Sequence, residues 1–286
     1  MILVTGAAGK TGKEIIRVLI KKGAIICALV HNESQIQRVK ELGVKEVLTG
    51  DMRSQERMDQ VFQGVRAVYH IPPNISPEEF HIGQIAIKAA QSAGVEHFVY
   101  HSVLHPQVES MPHHWEKMRV EYKMFESGLP YTILQPAAYM QNILAYWDDI
   151  VQKGRYALPY SENTLLSYVD LEDVAEVAAI VLNDPRHMGA IYELCGSEKL
   201  SALETARFIS SHLGMEVEVC VMPIERWEFQ ARRKGVGDYQ INTLIKMFEY
   251  YDRFGFTGNS TIMECLLNRP PTSFSAFIER TIRERF

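Results

Sequence analysis

Three glycines at three-residue intervals, Gly6, Gly9 and Gly12, follow a short apolar run, Met1-Ile2-Leu3-Val4-Thr5, and directly precede an amphipathic stretch, Lys13 to Ile20. Strand, tight turn and helix N-terminus in that order narrow the fold more than any other feature of the chain. Glycine lets the backbone approach a ligand closely, and unpaired N–H groups together with the helix dipole attract a pyrophosphate. A second buried run, Ala24 to Val30, completes a unit of about thirty residues, the context such a loop requires. The spacing is G-x-x-G-x-x-G rather than the commoner G-x-G-x-x-G. Gly6, Ala8, Gly9, Lys10, Thr11 and Gly12 are therefore candidate cofactor-binding residues. The alternative is an ordinary tight turn that binds nothing.

Strands and helices continue to alternate through the first half. Helices are expected at 34–42, 55–62, 82–93 and 115–127, and strands at 46–51, 67–71, 97–102 and 131–134. Near-continuous apolar strands separated by helices predict a parallel sheet covered on both faces, and so an α/β, doubly wound Rossmann fold. After Pro136 the alternation breaks. A helix is expected over 139–153, a loop over 156–163, helices at 171–182 and 201–213, and strands at 190–194 and 216–221. Asp170 is a plausible N-cap, and Ser201 with Glu204 has capping-box spacing. The rest is helical and rich in aromatics. Residues 1–154, with 165–186 returning to them, are expected to form the dinucleotide-binding domain. Residues 187–286, with the loop 155–164, form a smaller, mostly helical substrate lobe that makes one wall of a cleft.

Composition restricts the remaining classes. The 286 residues are 47% hydrophobic, enough for a large core, and the net charge of −5 supplies no basic field to recruit nucleic acid. The first residues already read as a strand, with no basic leader before them, and no apolar run reaches the roughly 18–20 residues of a membrane span. The four cysteines, Cys27, Cys195, Cys220 and Cys265, form no C-x-x-C pair. They read as ordinary thiols in a reducing cytoplasm, and neither they nor the histidines have metal-ligand spacing. The expectation is a cytoplasmic protein with no metal, no membrane span and no nucleic-acid partner, either a monomer or a homodimer.

In a Rossmann sheet each strand end has a task. An acid after strand two would bond the ribose 2′-hydroxyl of NAD, whereas a basic residue accommodates the 2′-phosphate of NADP. Here the end reads Val30-His31-Asn32-Glu33. With no acid at His31, and Lys10 within the loop, NADP is favoured and NAD not excluded; solvated surface is the plainer reading of both side chains. Asp51, followed by Met52, ends strand three beside the expected adenine, or else caps the next turn. Ile71-Pro72-Pro73 ends strand four, where backbone would pass the nicotinamide ribose. Ser102 ends strand five, where a hydroxyl could bond a substrate oxygen or merely cap.

The chain resembles the NmrA-like family of atypical short-chain dehydrogenases/reductases. The resemblance rests on Val4 to Gly12, Gly50-Asp51-Met52, Ala93 to Val99, Ser127 to Pro136, Tyr139-Met140-Gln141-Asn142 and Asn268 to Phe274, and so spans almost the whole chain. That family includes NADPH-dependent quinone reductases, triphenylmethane dye reductases, isoflavone-type reductases and regulators that bind the dinucleotide without turning it over. By resemblance, Pro136, Ala137 and Tyr139 are expected at the cofactor, and Tyr139 and Asn142 at the substrate. The alternative for Tyr139 and Asn142 is packing and an exposed amide.

The Tyr-x-x-x-Lys pair of most short-chain dehydrogenases is missing: four residues before Lys117 stands His113. Lys117 itself matches a lysine of the isoflavone-type reductases, proposed there as acid/base residue or nicotinamide contact. Lys117 is therefore a candidate for ribose or substrate contact, or an exposed helix lysine paired with Glu121 one turn on. His113 and His114 read first as an exposed loop before the helix, with His113 kept beside Lys117 and Ser102 as a candidate catalytic residue. Trp227 and the other C-terminal aromatics could line a flat pocket or simply be core.

Two functions follow. One is an NAD(P)H-dependent oxidoreductase that passes hydride to a quinone-like or other conjugated small molecule, planar and apolar; such acceptors need alignment more than a strong acid. The other is a non-catalytic dinucleotide sensor acting through a protein partner, consistent with the missing tyrosine.

Overall fold

The computed structural model describes residues 1–285. In chain order the elements are β1 (Ile2–Val4), α1 (Lys10–Lys21), β2 (Ile26–Val30), α2 (Ile36–Lys40), β3 (Glu46–Thr49), α3 (Gln55–Phe62), β4 (Ala67–His70), α4 (Glu79–Ala93), β5 (His97–His101), α5 (Pro112–Phe125) and β6 (Tyr131–Pro136). There follow β7 (Ala138–Tyr139), α6 (Trp147–Lys153), β8 (Arg155–Leu158), β9 (Leu166–Val169), α7 (Leu171–Asn183), β10 (Ala190–Leu194), β11 (Lys199–Leu200), α8 (Ala202–Leu213), β12 (Glu218–Val221), α9 (Ile224–Arg233), α10 (Asp238–Phe254), α11 (Thr261–Leu267) and α12 (Phe274–Arg285).

Two compact units divide the chain. The first comprises Met1–Glu109, His113–Pro136 and Leu171–Glu193; the second comprises Ser110–Pro112, Ala137–Asp170 and the chain from Leu194 on. The sequence reading had carried the first as far as residue 154. The boundary moves back to Pro136 because the residues after it pair with strands of the second unit.

The first unit is built on a seven-stranded sheet in the order β10-β6-β5-β4-β1-β2-β3. β1 is an interior strand and pairs in parallel with β2 and β4. The parallel ladder continues through β3, β5 and β6. β1, β2, β4 and β5 are buried along their whole length, as expected of strands covered on both faces. On one side α3, α4 and α5 pack Met58, Phe62, Ile85, Val120 and Met124 against Leu3, Val68, Phe98 and Ile133. On the other, α1 packs against α7, which buries Ile15, Ile16 and Leu19 on α1 and Val174, Val177 and Ala178 on α7. The doubly wound parallel sheet expected from the alternation is the fold observed.

In the second unit a three-stranded sheet, β11-β9-β7, and a two-stranded sheet, β12-β8, accompany the helices. Here local pattern misleads. The helix expected over 139–153 is interrupted: Ala138 and Tyr139 pair with Tyr168 and Val169, a 3-10 turn follows over Met140–Ala145, and only α6 is α-helical. The loop expected to begin at Tyr156 instead opens as a strand, because Arg155–Leu158 pair with Glu218–Val221. Ser201 does cap α8, accepting the Glu204 N–H at 3.2 Å while the Glu204 carboxylate takes the Ser201 N–H at 2.8 Å.

Candidate functional site

The glycine loop joins β1 to α1 and its backbone leaves no room for side chains. Gly6 has φ +61°, and a Cβ there would lie 2.8 Å from the Ile71 carbonyl oxygen. A Cβ on Gly12 would overlap the Gly6 carbonyl oxygen and stand 2.8 Å from Ala7 Cα. Glycine is thus required at both positions by close backbone approach, and at Gly6 also by the left-handed conformation. Gly9 is the N-cap of α1, with no side-chain cap and no acid in the first turn. The first N–H groups of α1 have no intrahelical partner, and the dipole is positive there. Ala8, Lys10 and Thr11 stand at this mouth, Lys10 exposed. The cradle fits the pyrophosphate of a dinucleotide.

Thr5 ties the loop to the end of β4. Its Oγ1 accepts the Ile71 N–H at 2.9 Å and lies 3.0 Å from His70 Nδ1. Ile71 is thereby held beside Gly6, with Pro72 buried and Pro73 exposed after it. Two further strand ends differ in state. At the end of β2 the His31 side chain is exposed, and its backbone N–H donates to Gln35 Oε1 at 2.9 Å. After β3, Asp51 takes the capping role: Arg53 donates from Nε to both carboxylate oxygens at 3.0 Å and from its backbone N–H at 2.9 Å. These bonds hold the Asp51 carboxyl down at about 2. Met52 packs against the hydrophobic core.

At the carboxyl end of β5 the structure brings together groups far apart in sequence. Lys117 Nζ donates to Glu79 Oε1 at 2.9 Å and to the His101 carbonyl at 3.4 Å. Tyr100 Oη donates to the same Glu79 oxygen at 2.9 Å. Burial, and then the neighbouring Glu79 carboxylate, push the Tyr100 phenol well up, so it stays a donor. The partner expected for Lys117, Glu121, is buried elsewhere: it accepts the Ser102 hydroxyl, and Gln135 Nε2 donates to its two oxygens at 3.0 and 2.9 Å. Burial raises the Glu121 pKa, against these bonds. Ser102 is 3% exposed and its proton is committed to Glu121 rather than open to a substrate.

His113 and His114 lie within α5, not in an exposed loop, and His114 is buried. Burial holds the His113 imidazole down at about 4 and that of His114 well below its usual range. His113 is therefore neutral near physiological pH and carries no acidic imidazolium proton. His70 and His101 are also buried neutral, at about 3, for the same reason with Lys117 adding repulsion. The sequence reading missed Glu79, Tyr100 and Gln135, and gave Glu121 the wrong partner. Only Gln135, in the apolar run Tyr131–Pro136, carried a local signal; Glu79 and Glu121 sit on helices with many other polar residues.

Pro136 closes β6 in the first unit, and Ala137, in the second, donates its N–H to the Leu194 carbonyl at 2.9 Å. Tyr139 is half-buried on β7 and Asn142 exposed on the turn after it. Trp227 sits edge-on to Phe248, with ring centroids 4.8 Å apart. That is packing between α9 and α10. A groove of about 790 Å³ in the second unit is lined by residues such as Leu203, Arg207, Met215 and Val217, and by none of the candidate residues. Among the described residues no cluster of three or more His, Cys, Asp or Glu could hold a metal, and no helix is long and apolar enough to cross a membrane.

Comparison with known proteins adds three findings. The NmrA-like family model matches residues 1–282. An NAD(P)H azoreductase of Xenophilus azovorans is 27% identical over 97% of this chain and 96% of its own, and quinone oxidoreductase 2 of Escherichia coli is 25% identical over 96% of each. The crystal structure of the E. coli NADPH-dependent quinone oxidoreductase in complex with NADPH superposes with a TM-score of 0.86 at 23% identity, covering 99% of this chain and 100% of that one.

Proposed function

The chain belongs to the NmrA-like family, and on that premise we propose that it is an NADPH-dependent reductase of quinone-like or other conjugated small molecules, dyes among them. One observation carries the reading: the Lys117 ammonium stands at the carboxyl end of β5, on the sheet edge where the glycine loop leaves β1. Ligands of open α/β sheets bind outside that edge. The names of two relatives matched over nearly their whole length, an azoreductase and a quinone oxidoreductase, support the substrate class.

The loop Gly6–Gly12 and the N-terminus of α1 hold the pyrophosphate. We assign Lys10 and His31 to the adenosine end; the residue directly after β2 is His31 and not an acid, which favours the phosphorylated cofactor. A bound NADPH supplies the hydride. Lys117 orients ribose or substrate and sets a positive charge where the acceptor gains electron density. A conjugated acceptor spreads that charge, so alignment and one ammonium suffice without the missing tyrosine.

The test follows NADPH and NADH absorbance with purified protein against quinones, enones and azo and triarylmethane dyes, with Lys117→Ala alongside. Turnover with NADPH that falls in the variant is expected. Cofactor binding without consumption across the panel would favour a sensor acting through a protein partner.

A further inference from the structure

The buried pair Glu79–Lys117 is a poor candidate for a mere brace. Glu79 is 3% exposed and the Lys117 side chain 15%. Taking both charges from water costs about as much as their attraction returns, so such pairs seldom add net stability. Nor do α4 and α5 need it to stay together. Arg119 lays its guanidinium over the Phe80 ring at 3.9 Å, and Gly83 gives Val120 a seat so close that a Cβ would lie 2.5 Å from Val120 Cγ2. What the pair does do is fix the position of one ammonium.

The geometry points to Glu79 as the positioning residue that seats Lys117 at the carboxyl end of β5 for work at the hydride-transfer site. Glu79 opens α4, where the helix dipole favours a carboxylate. Tyr100 Oη donates to the same Oε1 that takes Lys117, and so holds that oxygen in one place. The Tyr100 ring also lies beneath Lys117 Nζ, 5.5 Å from its centroid. With Glu79 on one side and the His101 carbonyl on another, the ammonium has a fixed station rather than a mobile tip. Glu79 acts through Lys117 and not on the substrate itself.

The inference rests on the reductase reading of Lys117, so its test has one arm that needs no turnover. Glu79→Gln keeps the size and an oxygen for Tyr100 but removes the charge; Glu79→Asp keeps the charge on a shorter arm. The first arm treats purified protein with an amine-acylating reagent and maps Lys117 by mass spectrometry, with exposed Lys88 as the internal reference. Lys117 is expected to react several-fold faster in Glu79→Gln, and near the wild-type rate in Glu79→Asp. The second arm measures quinone reduction: kcat is expected to fall about 10-fold or more in Glu79→Gln with little change in the quinone KM, and to recover within about 3-fold in Glu79→Asp. A purely structural role would lower both variants together with their melting temperatures. Equal labelling in wild type and Glu79→Gln, or equal kcat, overturns the inference. A wild-type protein that reduces nothing overturns the reductase reading instead, while the labelling still decides the seat.

Discussion

Lys117 reaches Glu79 across 38 residues of chain at 2.9 Å, not Glu121 one turn along its own helix. Glu121 is turned to Ser102 and Gln135 instead. α5 thus presents one charged side chain to α4 and the carboxyl end of β5, and another to a buried polar cluster.

Gly83→Ala is expected to destabilise the protein by roughly 1–2 kcal/mol, since overpacking against stiff Val120 outweighs the helix propensity gained. In a chain of this size that lowers the melting temperature by a few degrees. Val120→Ala, which removes the two γ-carbons at 2.5 and 2.7 Å from the added methyl, should make the second change nearly free of further cost on top of its own cavity. Calorimetry of the two single variants and the double variant checks this; strictly additive losses would refute the close contact.

Gly12→Ala should weaken dinucleotide binding severely. Its methyl meets backbone, the Gly6 carbonyl and Ala7 Cα, so the loop and not a side chain must move. NADPH affinity, read by quenching of tryptophan fluorescence, should weaken by about 100-fold or more, and overpacking should cost about 1–3 kcal/mol of stability. Binding retained within a few-fold of wild type would show that the cradle does not hold the cofactor.

Acid should unfold the protein through its buried histidines. His70 and His101 are held at about 3, and His97 and His113 at about 4, against an ordinary 6.5. A depressed imidazole pKa means that the unfolded chain binds the extra proton. Stability is therefore full above pH 6.5 and is lost as pH falls toward 4 and 3, by about 1.4 kcal/mol per pH unit for each group. His70→Phe tests one of them. Nε2 of His70 has no hydrogen-bond partner among the described residues, and its ring packs on Phe98 and Tyr100. The variant is expected to be at least as stable as wild type at pH 7 and to show a shallower acid slope in urea titrations. An unchanged slope would count against burial as the cause.

In the second unit, Arg280→Ala should cost about 3 kcal/mol. Asp170 is fully buried, and Arg280 donates to its Oδ2 at 2.6 Å while Gln141 donates to Oδ1 at 2.7 Å. Removing the guanidinium takes the cation from a buried carboxylate. Asp170→Asn in the Arg280→Ala background should recover part of the loss, since the amide carries no charge to strand. Thermal denaturation of the two variants decides it.

What the sequence determined by itself was whatever neighbours in the chain decide. The glycine turn, strands such as Ala190–Leu194 and helices such as Gln55–Phe62 are local patterns of burial and backbone freedom. They sufficed for the parallel sheet, the dinucleotide loop and the family. Tertiary structure decided the rest, because its partners are remote. Strand β8 forms only because Glu218–Val221 arrive beside it, and Tyr139 is extended because Val169 pairs with it. A buried charge such as Glu79 is tolerated only where a cation from another helix meets it, and no local pattern reveals which cation that is.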